Sequence, residues 1–221
     1  MNGSGISPHG AAFGDLAQSG KAVILILLFR RARTAALAGK RNYFYVKKRE
    51  GESRMSFEQV KEFFAAAGAA DRLLELPQSS ATVELAAKAI GCQPERIAKT
   101  LSFLVGGRPI LIVAAGDARI ENRKFRSEFQ EKAKMIPPEQ VELLTGHAPG
   151  GVCPFAVKEN TEIYLDISLK RFETVYPAAG SANSAVRLTI SELERYSCFR
   201  KWIDVCKDWE RPLSQEEEPK G

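Results

Sequence analysis

The stretch Thr100-Leu-Ser-Phe-Leu-Val-Gly-Gly-Arg-Pro-Ile-Leu-Ile-Val-Ala114 contains two apolar runs separated by a pair of glycines. Residues 100–105 and 109–114 have the large and β-branched side chains that are typical of strands. Glycine adopts positive φ without steric cost, as a tight turn between two strands requires. The stretch therefore predicts a β-hairpin that turns at Gly106 and Gly107.

Shorter patterns on both sides of this hairpin predict a mixture of helices and further strands. Capping residues, C-terminal glycines and N-terminal prolines mark the ends of the predicted helices. The first helix begins at a Ser56/Gln59 capping box and the last follows a Ser191 cap. Between them, helices are expected at Val83–Ile90, at Asn122–Gln130 and from Pro137-Pro138 to Gly146, with a single helical turn at Pro94–Ile97. Strands are expected at 72–77, 133–136, 162–167, 174–179 and 185–189, with a short element at 202–206. Because the two kinds of element do not alternate strictly, we expect an α+β fold, with one domain built on a mixed β-sheet with flanking helices.

The positive charge of the chain is concentrated at its start. The formal net charge is +5, but residues 1–54 hold 10 Lys and Arg against 3 Asp and Glu, which leaves a net of −2 for residues 55–221. We expect residues 1–54 to be an extension, either an artefact of the start site or a basic arm that binds RNA, residues 55–211 to be the domain, and residues 212–221 to be an acidic disordered tail. Any contact of the domain with RNA must then come from a local patch.

The cysteines, histidines and apolar runs exclude several classes of protein. Cys92, Cys153, Cys198 and Cys206 form no CxxC pair, and only His9 and His147 are available to complete a zinc site. We therefore expect no metal and no cofactor, and reduced thiols in a cytoplasmic protein. The apolar run at 22–29 is too short to span a bilayer, so no membrane association is predicted.

Three loops are richer in polar or flexible residues than packing requires. Lys99 stands at the entrance of the first hairpin strand, either as a lysine whose ammonium reaches solvent or as a fixed cation for a phosphate or carboxylate. The loop His147-Ala-Pro-Gly-Gly-Val-Cys-Pro-Phe155 has paired glycines that can bring backbone N–H groups to an oxyanion. Its Cys153 is either a nucleophile paired with His147 or a small buried side chain. In the third loop, 176–184, the residues Ser181, Asn183 and Ser184 form either a polar turn or a pocket wall.

A basic cluster lies between these loops along the chain. Asp117 and Arg119 follow the second hairpin strand and are close enough in the chain to pair with each other. The cluster comprises the Lys and Arg residues at 119, 123, 124, 126, 132 and 134. It is either a solvated helix face or a contact surface for a phosphate backbone.

Four motifs in a fixed order resemble the YbaK/EbsC family, the relatives of the editing domain that is inserted in bacterial prolyl-tRNA synthetases. They are Ile97-Ala-Lys-Thr-Leu101, Ile112-Val-Ala-Ala-Gly-Asp117, Leu144-Thr-Gly-His-Ala-Pro-Gly-Gly-Val-Cys-Pro-Phe155 and Val175-Tyr-Pro-Ala-Ala-Gly-Ser181. The resemblance covers about residues 56–207. The chain departs from members that act on cysteinyl-tRNA, which carry a tyrosine in the first strand and an acidic residue after the last turn, at 74–78 and 181–184.

The resemblance implies a hydrolase that cleaves the ester bond of mischarged aminoacyl-tRNA. That the amino acid is small is inferred from the size of the candidate pocket residues, which are Val152, Cys153, Ala178, Ala179, Ser181 and Ser184. Lys99 looks like the family lysine that holds the phosphate or ribose end of the tRNA, and Gly150 to Pro154 matches the G-x-x-x-P loop that positions the ester. The resulting catalytic candidates are Lys99, Gly150 and Gly151, and the candidate substrate contacts are Val152, Cys153, Pro154, Asp117, Arg119, Ser181, Asn183 and Ser184. Water assisted by the ribose 2′-hydroxyl would be the nucleophile. The expected partners are aminoacyl-tRNA and prolyl-tRNA synthetase, and the alternative is a tRNA- or nucleotide-binding module without catalysis.

Overall fold

The hairpin of residues 97–115 forms the centre of the sheet, as its sequence predicts. A computed structural model describes residues 56–210, so the predictions for residues 1–54 and 212–221 lie outside the described part of the chain. Strands β2 (Ile97–Val105) and β3 (Arg108–Ala115) pair antiparallel and turn at Gly106 and Gly107, both at positive φ. Strand β3 is buried from Pro109 onward because neighbouring strands pair with both of its edges while packed side chains cover both of its faces.

The described residues form five helices and ten strands in all. The helices are α1 (Ser56–Ala66), α2 (Val83–Ile90), α3 (Asn122–Phe129), α4 (Pro138–Thr145) and α5 (Ile190–Ser197). The remaining strands are β1 (Leu73–Glu75), β4 (Arg119–Ile120), β5 (Glu162–Asp166), β6 (Thr174–Pro177), β7 (Ser184–Val186), β8 (Leu188–Thr189), β9 (Lys201–Ile203) and β10 (Cys206–Lys207). Short 3₁₀ turns cover Ala70–Arg72, Pro94–Arg96 and Ile167–Arg171.

Six strands form one mixed sheet in the order β8, β6, β2, β3, β5, β9. Strand β6 pairs parallel with β2, and β5 pairs parallel with β3 and with β9, while β8 is antiparallel to β6. Two short antiparallel ribbons, β1 with β7 and β4 with β10, lie outside this sheet. The predicted α+β fold with one mixed sheet and flanking helices is therefore confirmed.

A buried aspartate ties the end of the central sheet to the C-terminal strands. Asp166, the last residue of β5, has no exposed surface, and its carboxylate accepts the backbone N–H groups of Ser168 at 3.0 Å and of Val205 at 2.9 Å. These two bonds satisfy a charge that would be costly to bury without partners. They fix the chain that connects β9 to β10.

Aromatic side chains fill much of the core around the sheet. Phe64 of α1 meets Phe155 edge to face at 4.9 Å between ring centroids, and Phe125 of α3 meets Phe103 of β2 at 5.2 Å. Such pairs add to the free energy gained by burying apolar surface. No helix within residues 56–210 has the length and apolar character needed to cross a membrane.

Three predicted local features differ in the structure. The predicted strand at 133–136 is wrong, because only Met135 forms a bridge, to Phe103, and Pro137 and Pro138 then lack the N–H groups that would continue a ladder. The last helix is capped by Thr189, which forms a capping box with Glu192, and not by Ser191. The predicted Ser56/Gln59 capping box is also not formed, because Ser56 is the first residue of the helix and not the residue before it; its hydroxyl donates to the carbonyl of Gly180.

Candidate functional site

The ammonium of Lys99 lies at the edge where β2 leaves its parallel partner. The β2–β6 ladder ends at the pair Ala98 and Pro177, so the chain after β6 departs beside Lys99. Lys99 Nζ donates to the carbonyl of Gly116 at 2.9 Å, which leaves two of its three N–H groups free of partners within the described residues. Partial burial lowers the pKa of Lys99 below its usual value, and the nearby carboxylate of Asp117 partly opposes this shift. The side chain is a fixed, partly desolvated cation.

Gly116 allows the turn before β2 to approach the end of β3. A Cβ at Gly116 would lie 1.9 Å from the carbonyl oxygen of Pro94 and 2.8 Å from Val83. The Gly116 N–H also donates to the carbonyl of Glu95 at 3.2 Å. Any larger residue would separate the two segments and displace the carbonyl that holds Lys99. Gly116 is not among the residues predicted for the site, although its place between an apolar strand and Asp117 is a signal that the sequence offers.

Residues 148–154, the glycine loop, begin with a tight turn. The Gly151 N–H donates to the Ala148 carbonyl at 3.0 Å, with Pro149 and Gly150 in between and Gly150 at φ +85°. Proline followed by a residue with positive φ is the pattern of a type II turn. The Gly151 N–H is therefore already used.

Two other amides of the glycine loop are free to bind a ligand. Within residues 56–210 the backbone N–H groups of Gly150, Val152 and Cys153 donate no hydrogen bond. The amides of Gly150, which is exposed, and of Val152, which is half-buried, are available to an oxyanion, whereas Cys153 is fully buried.

The glycine loop packs against residues 178–184, the serine loop, backbone to backbone. A Cβ at Gly151 would lie 2.8 Å from the backbone of Gly180 and Ser181, and one at Gly150 would lie 3.8 Å from the Cβ of Ala182. Gly180 in turn lies against the backbone of Ser56 at the start of α1. The structure thus brings together two loops that are separated by two strands, β5 and β6, and a 3₁₀ turn along the chain.

The serine loop is held by hydrogen bonds among its own side chains and to the segment before α2. The Ser181 hydroxyl lies 2.9 Å from Asn183 Oδ1 and 2.7 Å from Ser184 Oγ. The carbonyls of Ala182 and Asn183 accept from the backbone N–H groups of Ser80 and Leu76 at 2.6 and 2.8 Å. Ser184 is only 1% exposed and orients the loop, whereas Asn183 is exposed.

Asp117 does not form the pair with Arg119 that their closeness in the chain allows. Its carboxylate forms a two-point contact with Arg171, at 2.6 and 3.1 Å, and Arg171 also donates to the carbonyl of Trp209 at 2.6 Å. Arg119 lies on β4 with its side chain exposed. Arg171 is a residue that the sequence analysis missed, because nothing local connects positions 54 residues apart.

Cys153 and His147 are close together but are not arranged as a nucleophile and its base. Cys153 Sγ lies 3.6 Å from His147 Nε2, and both atoms face the carbonyl of Phe155, at 3.7 and 2.8 Å. A carbonyl only accepts, so Nε2 carries the proton and cannot take one from the thiol. Burial raises the pKa of Cys153 to about 12 and lowers the pKa of His147. Cys153 is 0% exposed, and we interpret it as a small core side chain.

The two remaining candidates, Val152 and Pro154, belong to the glycine loop and differ in exposure. Val152 is half-buried and Pro154 is buried. Among the residues that the structure describes, no group of three His, Cys, Asp or Glu side chains could hold a metal ion.

Comparison with known proteins gives consistent matches. Residues 77–196 match the aminoacyl-tRNA editing domain family. YwhH of Bacillus subtilis strain 168, an uncharacterised protein, is 53% identical over 157 residues, which are 71% of this chain and 100% of that protein. EbsC of Enterococcus faecalis, named as a proposed Cys-tRNA(Pro)/Cys-tRNA(Cys) deacylase, is 26% identical over 110 residues, 48% of this chain and 66% of EbsC.

A proline–tRNA ligase of Nitratidesulfovibrio vulgaris is 29% identical over 104 residues, 46% of this chain and 18% of the ligase. Among solved structures, one described as a proposed trans-editing enzyme for prolyl-tRNA synthetase has a TM-score of 0.63 at 28% identity and covers 70% of this chain and 98% of its own. The predicted resemblance is confirmed: the chain belongs to the aminoacyl-tRNA editing domain family.

Proposed function

We propose that this chain hydrolyses the ester bond of mischarged aminoacyl-tRNA, acting in trans on tRNA that a synthetase has released. The observation that carries the proposal is the contact of the glycine loop with the serine loop, which follows the strand paired with β2 next to Lys99, in a domain of the editing family. In the reaction, water attacks the ester carbonyl and the bond from that carbon to the ribose oxygen breaks. The products are the free amino acid and a tRNA with its terminal hydroxyl restored.

The residues present suit a reaction that depends on positioning. The ammonium of Lys99 would hold the terminal phosphate or ribose, since two of its N–H groups are uncommitted within the described residues. The uncommitted amides of Gly150 and Val152 would face the oxyanion that forms during attack. Gly151 would act by allowing the close loop contact, and the 2′-hydroxyl of the substrate would assist the water.

The side chains around the site favour a small amino acid. Val152 and Ser181 are partly exposed where the two loops meet, and Ala178 is half-buried at the start of the serine loop. A pocket of this kind discriminates by only about 1–3 kcal/mol for each methylene, so we expect graded activity on small amino acids. The relatives named for Cys-tRNA(Pro) and for prolyl-tRNA synthetase point to tRNA(Pro) as the first tRNA to test and to the synthetase as a partner.

A deacylation panel tests the proposal. The full chain at catalytic concentration is incubated with tRNA charged with Ala, Ser, Cys, Thr or Pro, and release of the amino acid is compared with buffer alone. We expect accelerated release for one or more small amino acids, and sparing of tRNA(Pro) charged with proline. Lys99→Ala serves as the impaired variant and Lys132→Ala, an exposed lysine by the hairpin turn, as its matched control. Binding of tRNA without release of any amino acid would favour the non-catalytic binding module.

A further inference from the structure

The ribbon of β4 and β10 presents two cations side by side to solvent. Arg119 lies directly opposite Lys207 in the antiparallel register, and both side chains are exposed. The other pair of the ribbon, Ile120 with Cys206, turns toward the core. Like charges directly opposite each other destabilise a pair of strands. Neither cation has an ion-pair partner among residues 56–210.

Helix α3 and the residues next to it carry further charges close to the β4–β10 ribbon. Helix α3 begins next to β4 and carries Arg123, exposed and likewise without an ion pair in the described part of the chain. Lys124, in contrast, is neutralised by Asp204 at 2.8 Å and also donates to the carbonyl of Cys206. Glu121, the one acidic residue between β4 and α3, uses its carboxylate to cap the helix at the N–H of Arg123.

These cations adjoin the end of the sheet where Lys99 lies. The Lys99 ammonium is bonded to Gly116, three residues before Arg119, and the positive charge of Arg119 contributes to the lowered pKa of Lys99. In contrast, Lys132 lies by the hairpin turn, where the carboxylate of Glu131 accepts from the N–H of Gly106. The structure therefore divides the basic cluster of the sequence into a part beside Lys99 and a part at the other end of β2 and β3.

We propose that Arg119, Lys207 and Arg123 form a docking surface for the phosphate backbone of the tRNA strand whose 3′ end reaches Lys99. The proposal rests on the proposed function, which supplies the polyanion. Guanidinium groups bind phosphate oxygens at two points, and a polyanion relieves the repulsion between Arg119 and Lys207. Contacts of this kind set affinity and register without reading the base sequence.

Binding of uncharged tRNA to the full chain at several salt concentrations tests this surface. We expect the double variant Arg119→Gln/Lys207→Gln to lower the slope of log affinity against log salt by about 2, since each phosphate contact contributes about 1. The matched control is Arg108→Gln/Lys132→Gln, which removes the same charge at the hairpin end and should leave the slope unchanged. The melting temperature of the test variant should be equal to or higher than that of the unmodified chain, because a like-charge contact is removed.

Equal losses of slope in the two double variants would overturn the docking surface, because only overall charge would then matter. An unchanged slope in the test variant, or no measurable tRNA binding by the unmodified chain, would overturn it as well. The experiment uses tRNA without an ester, so its outcome does not depend on hydrolysis. A difference in slope together with a negative deacylation panel would refute the proposed reaction and leave the docking surface in place.

Discussion

Lys99 combines a fixed position with a lowered pKa, and both properties can be tested by substitution. The ammonium is bonded to Gly116, and burial lowers its pKa below the usual lysine value. We expect Lys99→Ala to lower kcat/KM for deacylation roughly 10- to 100-fold, because a charge-assisted hydrogen bond contributes about 1.5–3 kcal/mol. Lys99→Arg should not restore full activity, since a planar guanidinium does not reproduce a compact ammonium.

The pH profile distinguishes this role from a structural one. In the proposed role the protonated ammonium of Lys99 binds the substrate. Because burial lowers the pKa of Lys99, activity should fall with rising pH at a lower pH than an ordinary lysine would cause. Lys99→Arg should move this decline to higher pH, because arginine remains charged. Rates are corrected for spontaneous hydrolysis of the ester. Unchanged turnover in Lys99→Ala would identify Lys99 as an ordinary surface lysine.

Cys153 provides a second prediction for a single residue. Its thiol is fully buried and its pKa is raised to about 12, so it stays protonated at neutral pH. We expect Cys153→Ala to keep most of the deacylation rate and to lower the free energy of unfolding by about 1 kcal/mol, through the small cavity. Activity is measured well below the melting temperature of the variant. Loss of turnover in a folded Cys153→Ala protein would revive the thiol mechanism.

At the scale of loops and strands, the close contact of Gly151 with Gly180 decides the shape of the site. A methyl group at Gly151 would meet backbone atoms at 2.8 Å, which cannot move as a side chain can. We expect Gly151→Ala to lower the free energy of unfolding by about 1–3 kcal/mol and to reduce deacylation at temperatures where the protein is still folded. Gly107→Ala is the matched control: its φ of +73° makes the substitution costly by about 1–2 kcal/mol, but it lies at the hairpin turn with open space around it. Similar residual activity in both variants would contradict a specific role for the loop contact.

The elements that could be predicted from the sequence are those with local signals. Gly106 and Gly107 give the hairpin, and Thr82 with Gly91 gives both ends of α2. The N-cap of α5 also has a local signal, because Thr189 stands three residues before Glu192. The prediction nevertheless places the cap at Ser191. The bond between Asp117 and Arg171 and the meeting of the two loops depend on the sheet order, for which no local pattern exists.

At the scale of the whole molecule, removing the basic residues 1–54 tests whether they contribute to folding and to tRNA binding. The domain is expected to begin at Met55, and the first described helix, at Ser56, already supports Gly180 of the serine loop. We therefore expect a protein that starts at Met55 to keep its melting temperature and most of its deacylation rate. If residues 1–54 form a tRNA-binding arm with their charge of +7, their removal should weaken tRNA binding and lower its salt dependence. Unfolding of the shortened protein would contradict the expected domain boundary.

The parallel pairing of β5 with β9 has a consequence for the order of events during synthesis. The central hairpin of β2 and β3 can close as soon as it leaves the ribosome, because its two strands are adjacent in the chain. The outer edge of β5 and the second carboxylate oxygen of Asp166, by contrast, gain their partners only when residues 201–205 have been made. A nascent or prematurely terminated chain therefore exposes an unpaired strand edge beside a hydrophobic sheet, the kind of surface on which chains associate and chaperones act.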